Sequence, residues 1–173
     1  MKRILIIGSN GAGKSTFSYR LAEKTGLPLV HLDKIYWHNN WEITPGEEFR
    51  NKVLEEAQKD SWIIEGNNMS SLHQRLPYAG TVFWFEFPPV ICVFNIIKRE
   101  LKYRNKVRPD MPDQCYGKFD LKFLKLAWNF NKDNHDRIEN SLKENKHLKV
   151  IRFTNYRQVK KYLSNITNQG SIP

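Results

Sequence analysis

The stretch Gly8-Ser9-Asn10-Gly11-Ala12-Gly13-Lys14-Ser15 limits what this chain can fold into more than any other feature. It spells G-x-x-x-x-G-K-[ST]. An apolar run at residues 2–7 leads into it, and residues 15–24 follow with Phe17 and Leu21 on one helical face. The spacing therefore predicts a buried strand, a tight glycine turn and a helix. Gly8, Gly11 and Gly13 allow backbone conformations and close approaches that a side chain would block. Such a turn aims successive N–H groups at phosphate oxygens, and the helix N-terminus adds positive potential there. Lys14 then reaches the terminal phosphates as a point charge, and the Ser15 hydroxyl oxygen is placed for Mg²⁺. A nucleoside triphosphate is the expected ligand, held along Gly11 to Thr16.

The rest of the chain repeats the alternation. Apolar runs at 27–32, 62–64, 81–87 and 148–153 read as strands, with Val82, Trp84 and Glu86 alternating in the third of these. Helical spacing covers 15–24, 46–59, 90–103, roughly 119–145 with a bend near Asn129-Phe130-Asn131, and 155–163. Gly26 and Pro28, then Pro88 and Pro89, punctuate the elements, and residues 105–117 form a loop around Pro109 and Pro112. This is an α/β pattern, a parallel sheet with helices on both faces. Right-handed crossovers put the strand-to-loop junctions along one edge, where a ligand site belongs. With 173 residues the chain reads as one domain over 1–165, followed by a frayed tail from 166 to 173.

Charge narrows the partners. The net charge of +10 points to phosphate-bearing ligands without separating a nucleotide from a nucleic acid or an anionic membrane. Cys92 and Cys115 show no metal or redox spacing and read as reduced thiols. No apolar stretch approaches a membrane span, and the N-terminal apolar run is too short for a signal peptide. A cytoplasmic protein, monomeric and without membrane contact, is expected.

Further along, HLDKIYW at 31–37, WIIEGN at 62–67, Phe85-Glu86-Phe87-Pro88 and the segment Lys98 to Pro112 join GSNGAGKSTFSYRL at 8–21. Together they resemble the small nucleoside- and metabolite-kinase branch of P-loop proteins. Within it they are most similar to the adenylate-kinase-related group often labelled "DNA topology modulation protein", a label that names no demonstrated chemistry. The resemblance runs to about Leu163. It implies a P-loop NTPase fold, with a five-stranded parallel sheet of order 2-3-1-4-5 and a short basic lid at about 99–117.

The resemblance also assigns roles. A carboxylate at the place of Asp33 orients or deprotonates the acceptor hydroxyl, the reading favoured here, with a helix cap as the alternative. Glu65 would hold the water shell of Mg²⁺ beside Ser15, where relatives more often carry Asp. Asn67 and Arg75 fall where the family binds its acceptor, and an arginine there favours an anionic one. Lid arginines clamp the transferring phosphoryl group, which points to Arg104 and Arg108, with Arg99 and Arg137 in support. Pro89 stands where relatives often place an arginine. Asn155, in the loop Thr154-Asn155-Tyr156, would flank the adenine. Trp37, with Tyr36, His38 and Trp41, reads either as a surface for a planar acceptor or as an apolar cap on the helix at 46–59.

These assignments favour a kinase that uses ATP and Mg²⁺ to phosphorylate a nucleoside monophosphate or small metabolite. The competing reading is a nucleotide-dependent, nucleic-acid-associated regulator without small-molecule transfer. Six basic residues against one acidic between 98 and 108 serve either reading, but no nucleic-acid-binding signature accompanies them.

Overall fold

The computed structural model describes residues 1–117 and 119–166. In chain order it contains β1 (Arg3–Gly8), α1 (Lys14–Thr25), β2 (Leu29–His31), α2 (Leu32–Tyr36), α3 (Gly46–Gln58), β3 (Trp62–Glu65) and α4 (Leu72–Arg75). These are followed by β4 (Thr81–Phe85), α5 (Pro89–Lys102), α6 (Leu121–Glu144), β5 (Lys149–Phe153) and α7 (Tyr156–Asn165). The five strands form one sheet of order β2-β3-β1-β4-β5 with every pairing parallel, as expected.

Central β1 is apolar and buried from Ile4 to Ile7 because both faces of the sheet are covered. Its side chains alternate between two cores. Leu5 and Ile7 join Phe49, Val53 and Ala57 of α3 and Phe130, Ile138 and Leu142 of α6 on one face. Ile4 and Ile6 join Phe17 and Leu21 of α1, Cys92 of α5 and Val159 and Leu163 of α7 on the other. Phe17 is the hub of that second core, meeting Phe83, Phe85 and Phe153 edge-on at centroid distances of 5.0, 5.3 and 5.6 Å. Truncating such a ring to alanine costs about 3–5 kcal/mol.

Several boundaries differ from the sequence reading. β2 keeps only three residues, since Pro28 has no N–H for a ladder, and the chain turns straight into α2. Asp33 thus stands in the first turn of a helix. All of β4 is buried, so the expected alternation is absent from a strand covered on both sides. α6 runs unbroken for 24 residues. Within it the Asn131 side chain accepts from Ser9 Oγ at 2.6 Å and donates to the Phe87 carbonyl at 3.1 Å. Ile166, expected to fray, is buried, and Lys24 Nζ donates to its carbonyl at 3.2 Å. The remaining tail, 167–173, lies outside the described residues. Among those described, no helix is long and apolar enough to cross a membrane.

Candidate active site

The turn between β1 and α1 is pressed against its neighbours. Gly8 has φ +123°, and a Cβ there would lie 2.2 Å from the Phe85 carbonyl oxygen of β4. At Gly11, with φ +80°, it would lie 2.3 Å from the Cys92 carbonyl oxygen of α5. Only glycine fits at either place. Gly13 precedes α1 in the left-handed region and supplies no side-chain cap, so the first N–H groups of the helix stay available to an anion. Asn95 of α5 secures the turn from outside, donating to the Gly11 carbonyl at 2.9 Å and to the Tyr156 hydroxyl at 2.7 Å.

Above this turn opens a cleft of about 770 Å³, at the carboxyl ends of the strands. Its floor holds Lys14, Ser15, Asp33 and Glu65. The Lys14 ammonium is buried and donates to the carbonyls of Gly8 and Ser9 at 2.8 and 3.0 Å. Burial lowers its pKa, against the opposing charges of Glu65 and Asp33. Glu65, also buried, lies 2.9 Å from His31 Nδ1 and 3.3 Å from Ser15 Oγ. An ionised carboxylate only accepts, which places the His31 proton on Nδ1. Asp33 is open to water in the cleft yet set deep among protein; that crowding, and then the charge of Glu65, raise its carboxyl to about 6. The Ser15 hydroxyl and the Glu65 carboxylate are hard oxygen donors side by side, a set that suits Mg²⁺.

The basic segment after β4 divides. Lys98, Arg99, Lys102 and Arg108 line the cleft, whereas Arg104 is exposed and does not. Arg99 rests over the Phe123 ring at 5.9 Å and pairs with Glu100 at 3.2 Å. The loop beyond is a built structure, with isolated bridges joining Val107 to Tyr116 and Arg104 to Gly117, and with Met111 and Cys115 buried. Arg137, expected in support, donates instead to the Met69 carbonyl at 3.3 Å.

Asn10, Gly11, Gly13, Thr16 and Asn67 also line the cleft, while Ala12 is buried beneath the turn. Three further candidates stand away from it. Arg75 is wholly buried and donates to the carbonyls of Ser71, Gly66 and Asn68, so it braces the loop after β3 and offers nothing to an anionic acceptor. Trp37 packs edge-on against Tyr36, which packs on Phe49 of α3 at 5.3 Å. This is the apolar-cap arrangement. Asn155 caps α7, accepting from the Gln158 N–H at 3.0 Å, and its neighbour Tyr156 lines the cleft. Sequence reasoning missed Tyr19, Asn68, Asn95, Asp110 and Tyr156. Of these, Tyr19, Asp110 and Tyr156 lay inside segments already singled out.

A family model described as isopentenyl transferase matches residues 1–67, from β1 through the end of β3. A search of curated proteins finds no match. Among solved structures, a gluconokinase from Sinorhizobium meliloti 1021 is similar over 94% of this chain and 90% of its own, at 12% identity and a TM-score of 0.56. A shikimate kinase from Bacteroides thetaiotaomicron is similar over 94% of both chains, at 17% identity and a TM-score of 0.56. These likenesses show the fold, that of P-loop kinases.

Proposed function

We propose that the protein is an ATP-dependent kinase acting on a hydroxyl or phosphate oxygen of a small molecule. The observation that carries this reading is the convergence of Lys14, Ser15, Asp33 and Arg108 on one cleft, with Lys98, Arg99 and Lys102 on its wall. The turn and the α1 N-terminus bind the triphosphate, and Lys14 follows its terminal phosphates. Asp33, ionised above about pH 6, accepts the acceptor's hydroxyl proton as the acceptor oxygen bonds to the γ-phosphorus. The bond to the bridging oxygen breaks and ADP departs with its electron pair. Bound Mg²⁺ supplies charge neutralisation at the phosphate oxygens, and Ser15 and Glu65 are the residues that would hold it. Arg108 and Arg99 add positive charge where the equatorial oxygens gather theirs, and positioning does most of the remaining work.

The lid's cationic wall favours this reading over a nucleic-acid-associated regulator, because four of the six basic residues between 98 and 108 face the cleft. The family match over 1–67 favours a second reading, transfer of an isopentenyl group from a diphosphate donor held by the same turn. One assay separates them. ADP release from Mg-ATP is measured against nucleoside monophosphates, nucleosides, shikimate, gluconate and related hydroxy acids, with a five-carbon prenyl diphosphate assayed in parallel. Acceptor-dependent ADP release that disappears in Lys14→Ala supports the kinase. Diphosphate release from the prenyl donor alone selects the second reading, and binding of ATP with no turnover at all overturns both.

A further inference from the structure

Asp110 sits in the lid, and nothing in the glycine-rich motif calls for it. Its Oδ2 lies 3.2 Å from Ser15 Oγ, the hydroxyl that already has Glu65 Oε2 at 3.3 Å. A hydroxyl carries one proton and donates to one acceptor at a time. Two carboxylates therefore converge on one small oxygen, with Asp33 lining the same cleft. Against them, Arg108 Nε stands 3.7 Å from Asp110 Oδ1. The rest of the lid is anchored across the cleft from α5: Cys115 Sγ donates to the His38 carbonyl at 3.2 Å, in the loop beyond α2. The lid spans from one wall to the other, and Asp110 is the carboxylate it brings down onto the phosphate-binding turn.

Like charges gathered around one hydroxyl repel, and a divalent cation at that hydroxyl turns the repulsion into attraction. A ligand that interacts differently with open and closed arrangements shifts their balance, and the coupling acts in both directions. We propose that Asp110 is the positioning residue that links lid closure to occupation of the cation seat at Ser15 and Glu65. The cation favours the closed lid, and the closed lid holds the cation more tightly. This rests on the nucleotide-binding reading above and extends it to a residue outside the motif.

Limited trypsin digestion of the full chain tests it, because Lys102, Arg104 and Lys106 place cleavage sites within the lid, whereas Pro109 protects the bond after Arg108. Digestion is run with saturating ATP, in MgCl₂ or in EDTA, and lid cleavage is followed by mass spectrometry. ATP binding in EDTA is measured alongside by calorimetry. In the unaltered protein Mg²⁺ slows lid cleavage roughly fivefold or more, the lower end of ordinary coupling. In Asp110→Asn that difference falls below roughly twofold, while ATP affinity in EDTA stays within roughly twofold. Asp110→Glu, which keeps the charge, retains part of the Mg²⁺ response. Asp113→Asn, an exposed change in the same lid, retains all of it. Full Mg²⁺ protection in Asp110→Asn overturns the proposal. ATP binding with a lid indifferent to Mg²⁺ in the unaltered protein overturns the proposal alone. Failure of the unaltered protein to bind ATP overturns the nucleotide reading and this inference with it.

Discussion

Asn67 Oδ1 accepts the backbone N–H of Gly8 at 2.8 Å, and Asn67 Nδ2 donates to Asn10 Oδ1 at 3.2 Å. One side chain after β3 thus holds the beginning of the phosphate-binding turn in place. Removing it frees the turn to adopt arrangements that do not bind. Asn67→Ala is expected to weaken ATP binding about fivefold, corresponding to about 1 kcal/mol for a net hydrogen bond. Calorimetric titration of ATP checks this. A raised acceptor KM with unchanged ATP affinity would instead assign Asn67 to the acceptor.

The Asp33 carboxyl makes a prediction in pH. Its pKa rises from 3.8 to about 6, through the protein crowded around the cleft floor first and the Glu65 charge second. The folded protein therefore holds this proton more tightly than the unfolded chain does. Stability falls as pH climbs from about 4 through about 6, and above that the ionised carboxylate is a standing burden on the fold. Asp33→Asn should unfold at a higher temperature than the unaltered protein at about pH 8, with the difference gone near pH 4. Turnover in the unaltered protein should rise with pH through about 6, and the variant should lose it. Thermal unfolding and initial rates across pH test both limbs. An equal difference in unfolding temperature at both ends would show that Asp33 carries no such burden.

The sheet and the phosphate turn were legible because local signals state them. Glycines pressed against Phe85 and Cys92 leave a fixed spacing in the chain, and a strand buried on both faces leaves a continuous apolar run. The site's remaining walls come from contacts that sequence spacing does not encode. Arg75 and Arg108 are both arginines near expected functional segments, yet one turns inward to three carbonyls and the other lines the cleft. Which way each points is decided by the loops around it. Asp110 escaped notice for a similar reason: it meets Ser15 from 95 residues away. Asn155 and Tyr156 differ by one position, but the first is spent on capping α7, leaving the second for the cleft.

Arg75 is expected to matter to the fold rather than to the acceptor. Its donors reach the carbonyls of Gly66, Ser71 and Asn68 at 3.4, 3.4 and 3.0 Å, and burial lowers its guanidinium to about 9. Arg75→Met fills the volume and leaves those carbonyls without their donors. It should cost about 2–4 kcal/mol in urea unfolding, since each orphaned buried group costs about 1–3. At a temperature where the variant is folded, the KM for any anionic acceptor should change no more than that for a neutral one. A selective loss for anionic acceptors would reinstate Arg75 as their partner.

The two lid arginines should separate sharply. Arg108 lines the cleft beside Asp110, and Arg104 is exposed outside it, where its backbone bridges to Gly117. A cation aimed at charge that develops only in the transition state acts on kcat, and losing one such group typically costs about a hundredfold or more. Arg108→Ala is expected to lower kcat on that scale with a smaller effect on KM. Arg104→Ala should leave both within about twofold, because a solvated charge off the cleft is screened. Steady-state kinetics on the two variants under matched ionic strength decide the matter. Equal losses would mean that the lid acts through its total charge, and a loss confined to Arg104→Ala would mean that the lid closes with the opposite side inward.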